Sequence, residues 1–75
     1  MSVKVQASEL QDSILRKLAE AKVLLQEAVI QTHEYNAVNN IPNYRTIDFV
    51  VPIGVAISNI EVAIKDVTDN GIVTE

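Results

Sequence analysis

The sequence predicts a mainly α-helical fold, an antiparallel helical hairpin that associates with a second hairpin into a four-helix bundle. Two long periodic segments flank a short polar stretch, and the first segment has no Gly or Pro from Glu9 to Ala37. The chain has 75 residues, 48% of them hydrophobic, and no cysteine. A domain below about 70–80 residues rarely gains more than about 3–5 kcal/mol from its own core, and disulfides are excluded here. We therefore expect one small domain, residues 1–75, that is stabilised by self-association.

The first helix is expected over residues 9–37. Ser8 and Gln11 match the capping-box spacing, which predicts Ser8 as the N-cap, and acidic Glu9 and Asp12 follow in the first turn. Residues spaced alternately four and three apart form an apolar seam typical of lengthwise helix packing. The seam consists of Ile14, Leu18, Ala21, Leu25, Ala28, Thr32 and Tyr35.

The connection is expected over residues 38–47, since Asn and Pro42 favour turns and Ile41, before proline, is disfavoured in a helix. The second segment, residues 48–69, is best interpreted as a helix. Asp48 is its predicted N-cap, Pro52 falls in the first turn, and Asn70 with Gly71 forms the stop. Its predicted seam is Val50, Ile53, Ile57, Ile60, Ile64 and Val67.

The same segment also fits strands, which leaves an α+β fold as the alternative, with one long helix packed on a small antiparallel sheet. Ile60, Val62 and Ile64 alternate with less apolar residues, and residues 52–54 could turn. The chain ends, residues 3–5 and 72–74, could pair as short strands or fray. Residues 70–75 form a short tail.

Apolar residues also lie away from both seams. They predict an oligomer interface, with a dimer as the first expectation and a tetramer as the second, because a helix that is apolar on two sides needs more than one neighbour. These residues are Val23, Leu24 and Ile30 on the first helix, and Val55 and Val62 on the second segment.

Charge and hydropathy exclude several classes of partner. The net charge is -4, from 6 Lys and Arg against 10 Asp and Glu, and the cations are scattered along the chain. Such a chain repels phosphate backbones and anionic membrane surfaces, so no nucleic-acid or membrane partner is expected. The longest apolar stretch, residues 49–57, is well short of the roughly 20 residues of a membrane span. With no secretory signal pattern, we expect a soluble cytoplasmic protein.

Catalytic and metal-binding patterns are missing from the sequence. His33 has no carboxylate three or four residues away, and Glu20, Glu27 and Glu34 are spaced two helical turns apart, about 10.5 Å, too far for one ion. No nucleophile motif or Gly-rich phosphate loop occurs. We therefore expect no enzyme activity, no cofactor and no catalytic or metal-binding residue, and retain a metal-binding bundle only as a remote hypothesis.

The connection holds the one concentration of polar and aromatic residues outside the periodic segments. Tyr and Arg are frequent at interface hot spots, which makes this stretch a candidate site for an unidentified protein partner. A turn whose Asn side chains bond the local backbone is the simpler interpretation. The candidates are Tyr35, Asn39, Asn40, Tyr44 and Arg45, with Asn43 beside them.

Two functions follow as hypotheses. The first is a non-enzymatic interaction or assembly module that acts as a homo-oligomer through its helical surface. The alternative is a small acidic regulator or inhibitor that occludes a basic site on a partner, since the second segment carries the net negative charge. Its acidic residues are Asp48, Glu61, Asp66, Asp69 and Glu75.

Overall fold

Two α-helices run side by side in a computed structural model of the chain, which describes the backbone of residues 3–72 and the side chains of residues 8–72. Helix α1 spans Val3–Val38 and helix α2 spans Ile47–Asn70, and a 3₁₀ helix, Asn43–Thr46, lies between them. Residues 3–72 contain no strand. The mainly α-helical hairpin is confirmed, and the α+β alternative is not supported.

Helix α1 begins earlier than the capping pattern indicated. Because the helix already includes Val3, Ser8 lies inside it, and the prediction of Ser8 as N-cap is wrong. The residues before Ser8 include no Gly or Pro, so nothing in this stretch interrupts the helix. Residues 3–5, for which a short strand and a frayed end were both open, are likewise helical, and residues 73 and 74 lie outside the described residues.

The apolar seam of α1 packs against α2 as predicted except at its last position. The seam residues from Ile14 to Thr32 are half-buried, whereas Tyr35 is 62% exposed. Asn36, one residue later, is 1% exposed. A residue four positions after Thr32 lies closer to the seam direction than one three positions after it, and the connection supplies polar partners for the Asn36 side chain.

Those partners come from the 3₁₀ helix. The Asn36 side-chain amide donates to Asn43 Oδ1 at 3.3 Å and to Thr46 Oγ1 at 3.0 Å. The backbone N–H of Ile41 donates to the Asn36 carbonyl at 2.8 Å, and Asn40 takes a left-handed conformation with φ 56°. Asn36 is therefore bonded through both its side chain and its backbone, and it holds the two ends of the turn together.

Helix α2 confirms the helical interpretation of the second segment, with a different start. It begins at Ile47 after Thr46, so Asp48 lies in the first turn and its prediction as N-cap is wrong. Pro52 is the sixth helical residue rather than a first-turn residue. All six predicted seam residues of α2 are half-buried. Gly71 ends the helix, and its N–H donates to the Val67 carbonyl at 2.9 Å.

Polar contacts join the two helices at the end away from the turn and near the middle, and join α1 to the 3₁₀ helix at the turn. The Gln11 side-chain amide donates to the Val67 carbonyl at 3.3 Å, and Lys22 Nζ lies 3.4 Å from Glu61 Oε2. Asn36 and Thr46 make the contact nearest the turn. The molecule measures 57 × 19 × 14 Å, so the hairpin is a single layer of two helices with both broad faces open.

Candidate functional site

The single hairpin encloses no apolar core among the residues whose side chains are described. No apolar side chain in residues 8–72 is buried, and Asn36 is the one buried residue in that range. Each seam residue keeps part of its surface in solvent because only one neighbouring helix covers it. The candidate functional site is therefore the surface of the hairpin itself.

The solvent-accessible area confirms that much surface is left uncovered. The chain exposes 5774 Å², whereas a compact folded monomer of 8.3 kDa is expected to expose about 4,600 Å². Its radius of gyration is 17.0 Å, against about 11 Å for a compact chain of this length. The difference in area, about 1,200 Å², exceeds the roughly 800 Å² that one partner loses in a standard protein interface.

All five apolar residues predicted to form an oligomer interface are exposed. Their exposed fractions run from 50% at Val23 to 68% at Val62, with Leu24, Ile30 and Val55 between these values. They do not share one face. At about 100° per residue, Val23 and Ile30 lie along one line of α1, whereas Leu24 lies about 100° away from Val23.

One broad face of the hairpin is marked by an apolar groove between the helices. The groove has a volume of about 370 Å³. We call this side of the molecule the Gly54 face. The groove is lined by Gln26, Val29, Ile30, Val50, Gly54 and Ile57.

The opposite face carries a second groove, close to the turn. Tyr35 and Phe49 border it, and the half-buried Thr32, Ile41 and Thr46 contribute to its lining. Leu24 lies on this side of α1 at helical spacing from Tyr35. Both broad faces of the hairpin therefore expose apolar groups.

Sequence reasoning missed part of the Gly54 face. Ile47 and Val51 are about half exposed on the first two turns of α2, and neither was predicted as an interface residue. Ile47, Val51, Gly54 and Ser58 follow a four, three, four spacing, which is the periodic signal that could have identified them. The stronger seam through Val50 and Ile57 obscured this second pattern.

The residues of the connection lie together at the turn end of the hairpin, and all five candidates are exposed. Asn39 donates from its side chain to the Tyr35 carbonyl at 2.9 Å, which is the local bonding that the turn interpretation predicts. Asn40 supplies the left-handed residue. Tyr44 and Arg45 lie on the 3₁₀ helix, and within the described residues neither side chain makes a hydrogen bond or ion pair.

The acidic residues of α2 do not form one negative patch. Glu61 pairs with Lys22, and Asp69 accepts from Lys65 at 2.9 Å. Asp66 accepts from the Asn70 side chain at 2.9 Å. Asp48 lies near the other end of α2, about 27 Å from Asp66 at 1.5 Å per residue. Glu75 is outside the described residues.

The membrane-spanning potential of α2 depends on how its hydropathy is counted. The longest uninterrupted apolar run covers residues 49–57, whereas the mean hydropathy of a window is taken over more residues of the helix. The helical stretch Asn43–Asn70 contains an 18-residue window with a mean hydropathy of 1.8, so this helix is long and apolar enough to cross a membrane by length and composition alone. None of this window is buried in the single hairpin. The apolar side chains of this window therefore remain partly or largely open to solvent in the single hairpin.

The side chains with metal-binding potential stay apart. His33 and the glutamates of α1 are exposed, and no group of three or more His, Asp or Glu that could hold an ion occurs within the described part of the chain.

Comparison with protein-family models, curated proteins and solved structures finds no match to this chain.

Proposed function

We propose that this chain is a non-enzymatic assembly module that works as a homo-oligomer, first of all as a dimer of hairpins forming a four-helix bundle. The observation that carries the proposal is the lack of any buried apolar side chain between residues 8 and 72 of a single hairpin. Small domains without disulfides obtain their stability from a larger core, and a second layer of helices supplies one.

The position of α1 alongside α2 favours a second copy of the chain, rather than a membrane, as the partner that covers the apolar surface. Lys22 reaches across to Glu61 near the middle of the hairpin, and α1 also carries exposed charges such as Glu20 and Glu27. Charged side chains within the hydrocarbon region are costly, so insertion of α2 would require α1 to separate from it. A protein partner covers the apolar surface without breaking the hairpin.

The acidic-regulator hypothesis has less support. Two of the four described carboxylates on α2 are already paired with lysines, and Asp48 is distant from the rest. A basic site on another protein would therefore meet carboxylates that are far apart or already paired, rather than one negative patch. The dispersed charge favours the assembly role of the apolar faces.

The test is the absolute mass of the full chain by light scattering on a sizing column over a hundredfold dilution. We expect a mass near 16.6 kDa, twice the 8.3 kDa of the chain, at the higher concentrations. A double variant, Ile30→Asp with Val62→Asp, should give a smaller species, because charges do not tolerate burial in an interface core. Both sites are exposed in the single hairpin, so circular dichroism should still show helix.

A control variant, Glu27→Gln with Glu34→Gln, changes two exposed residues on the polar side of α1 and should leave the mass unchanged. A wild-type chain that stays at 8.3 kDa throughout contradicts the homo-oligomer. Flotation of such a monomer with neutral phosphatidylcholine vesicles would identify a membrane as the cover. Salt-sensitive binding to an immobilised polylysine surface by the monomer would instead favour the acidic regulator.

A further inference from the structure

Gly54 lies near the middle of α2 without any reason for a glycine inside the single hairpin. A Cβ atom built at Gly54 meets no atom within 4 Å. Its backbone does not take the positive φ that favours glycine, since Gly71 is the one glycine with that conformation. Glycine is among the least favourable residues in a helix interior. We call the space left by the missing side chain the Gly54 notch. No atom of the same chain fills it, which indicates that another molecule approaches the backbone closely at this position.

The notch opens into the groove of the Gly54 face. The groove holds about 370 Å³, the liquid volume of about a dozen water molecules, and Gln26 is the one lining residue with a polar side chain. A surface of this kind gains stability when side chains replace the water. The groove is shallow and open at its edges, which suits a packed helix better than an enclosed small molecule.

Each helix carries a second periodic set of uncharged residues, distinct from the seam that joins the helices, and part of each set lines the groove of this face. On α1 the spacing is four, three, four, and on α2 it is the same. No member of either set is charged. The ion pair of Lys22 and Glu61 lies on the same side of the hairpin, since Glu61 follows Gly54 by seven residues, two turns along α2. The two sets are Ala19, Val23, Gln26 and Ile30 on α1, and Ile47, Val51, Gly54 and Ser58 on α2. Gln26 and Ile30 line the groove itself, whereas Ala19 and Val23 border a separate groove on α1 with Arg16, Glu20 and Leu24.

We propose that the Gly54 face is covered by the same face of a second copy of this chain, related by a two-fold axis, with the Gly54 notch at the closest approach of the two hairpins. The inference rests on the proposed homo-oligomer and names the face that it uses. The chain exposes about 1,200 Å² more than a compact monomer of its mass, summed over the whole hairpin, and a standard interface takes roughly 800 Å² from each partner. Leu24 and Phe49 then remain on the outer faces of a dimer, where two such dimers could meet.

The test compares Gly54→Leu with Asn59→Leu in the full chain by sedimentation equilibrium. Asn59 is exposed on α2 and lies about 140° round the helix from Gly54, so it is a matched site for the same new side chain. Filling the notch should raise the dimer dissociation constant about tenfold or more, because overpacked contacts are destabilising. Asn59→Leu should leave the dissociation constant unchanged.

Gly54→Ala gives a second test, because it should have opposite effects on the stability of the dimer and on the helix of the monomer. It should weaken the dimer while raising the helix content of the diluted monomer, since alanine favours helix and its Cβ meets no atom of the same chain. If Gly54→Leu tightens the dimer or has no effect on it, the assignment of this face is wrong and the homo-oligomer still stands. A monomeric wild-type chain overturns both.

Protection of an introduced thiol from alkylation gives a third test, which still applies if Gly54→Leu fails to fold. The chain contains no cysteine, so Gly54→Cys and Asn59→Cys each introduce a single thiol. Alkylation at Gly54→Cys should slow by about tenfold or more between dilute and concentrated protein, because access controls thiol reactivity. Alkylation at Asn59→Cys should not depend on concentration. Equal rates at position 54 in both conditions would overturn the proposal.

Discussion

The side-chain amide of Asn36 lies 3.0 Å from Thr46 Oγ1, and this hydrogen bond joins the last turn of α1 to the residue that precedes α2. The same amide donates to Asn43 Oδ1, and the Thr46 hydroxyl in turn donates to the Asn43 carbonyl at 3.1 Å. Three polar side chains thus form a closed network across the turn. The one buried residue among the described side chains is polar, so hydrogen bonding, rather than apolar burial, defines the turn end of the hairpin.

Replacing Asn36 by alanine should destabilise the protein by about 1–3 kcal/mol, because two hydrogen bonds are lost and their acceptors are left near the helix junction. Urea unfolding at one fixed chain concentration measures the change in the free energy of unfolding. Asn39→Ala is the matched control, since its side chain makes one exposed bond to the Tyr35 carbonyl. Equal losses for the two variants would show that the buried network has no special role.

Replacing Gly71 by alanine should cost about 1–3 kcal/mol, because its backbone has φ 76° and ψ -177°, a region almost restricted to glycine. Space is not the obstacle, since the new Cβ would lie 3.5 Å from Gln11 Oε1, an ordinary contact. Gly71→Asn should be as costly as alanine, although asparagine is tolerated at left-handed helix ends. A synthetic chain with D-alanine at this position should unfold like wild type, and a D-alanine chain as unstable as the L-alanine one would refute the backbone explanation.

Replacing Pro52 by alanine should stabilise α2 by about 2 kcal/mol. Pro52 is the sixth helical residue and has no N–H to donate to the Asp48 carbonyl, so the helix lacks one bond of its ladder. The gain from helix propensity exceeds the entropy that proline removes from the unfolded chain. Thermal unfolding at fixed concentration measures the change. A loss of stability would indicate that the proline ring is needed for packing outside the single hairpin.

A double-mutant cycle on Lys22 and Glu61 should give a coupling energy of about 0.2–1 kcal/mol. The two side chains are 3.4 Å apart and remain 31% and 54% exposed, so water screens their attraction. Lys22→Met, Glu61→Gln and the double variant complete the cycle, and about 1 M salt should remove most of the coupling. The pair of Lys65 and Asp69, on a single helix, is the control at about 0.3–0.5 kcal/mol. A coupling above about 2 kcal/mol would contradict an exposed pair.

Much of the hairpin could be predicted from local pattern. The seam from Ile14 to Thr32 and the seam from Val50 to Val67 both face the neighbouring helix, because apolar spacing of three and four residues selects one side of a helix. The glycine stop at Gly71 was predicted for the same local reason. The starts were predicted less well, since Ser8 and Asp48 have the right chemistry for a cap but lie inside helices that begin earlier.

The sequence by itself therefore determined one long helix, the apolar seams and the presence of surplus apolar residues, while it favoured a helix for the second segment and left strands as the alternative. Only the tertiary structure decided that Asn36 rather than Tyr35 is buried, and that Ile30 lines the Gly54 groove whereas Val23 and Leu24 border a separate groove on α1. The reason is geometric. Spacing along a helix shows which residues share a line on its surface. The side on which the second helix lies depends on the turn, and that turn is fixed by hydrogen bonds between residues that meet only after folding.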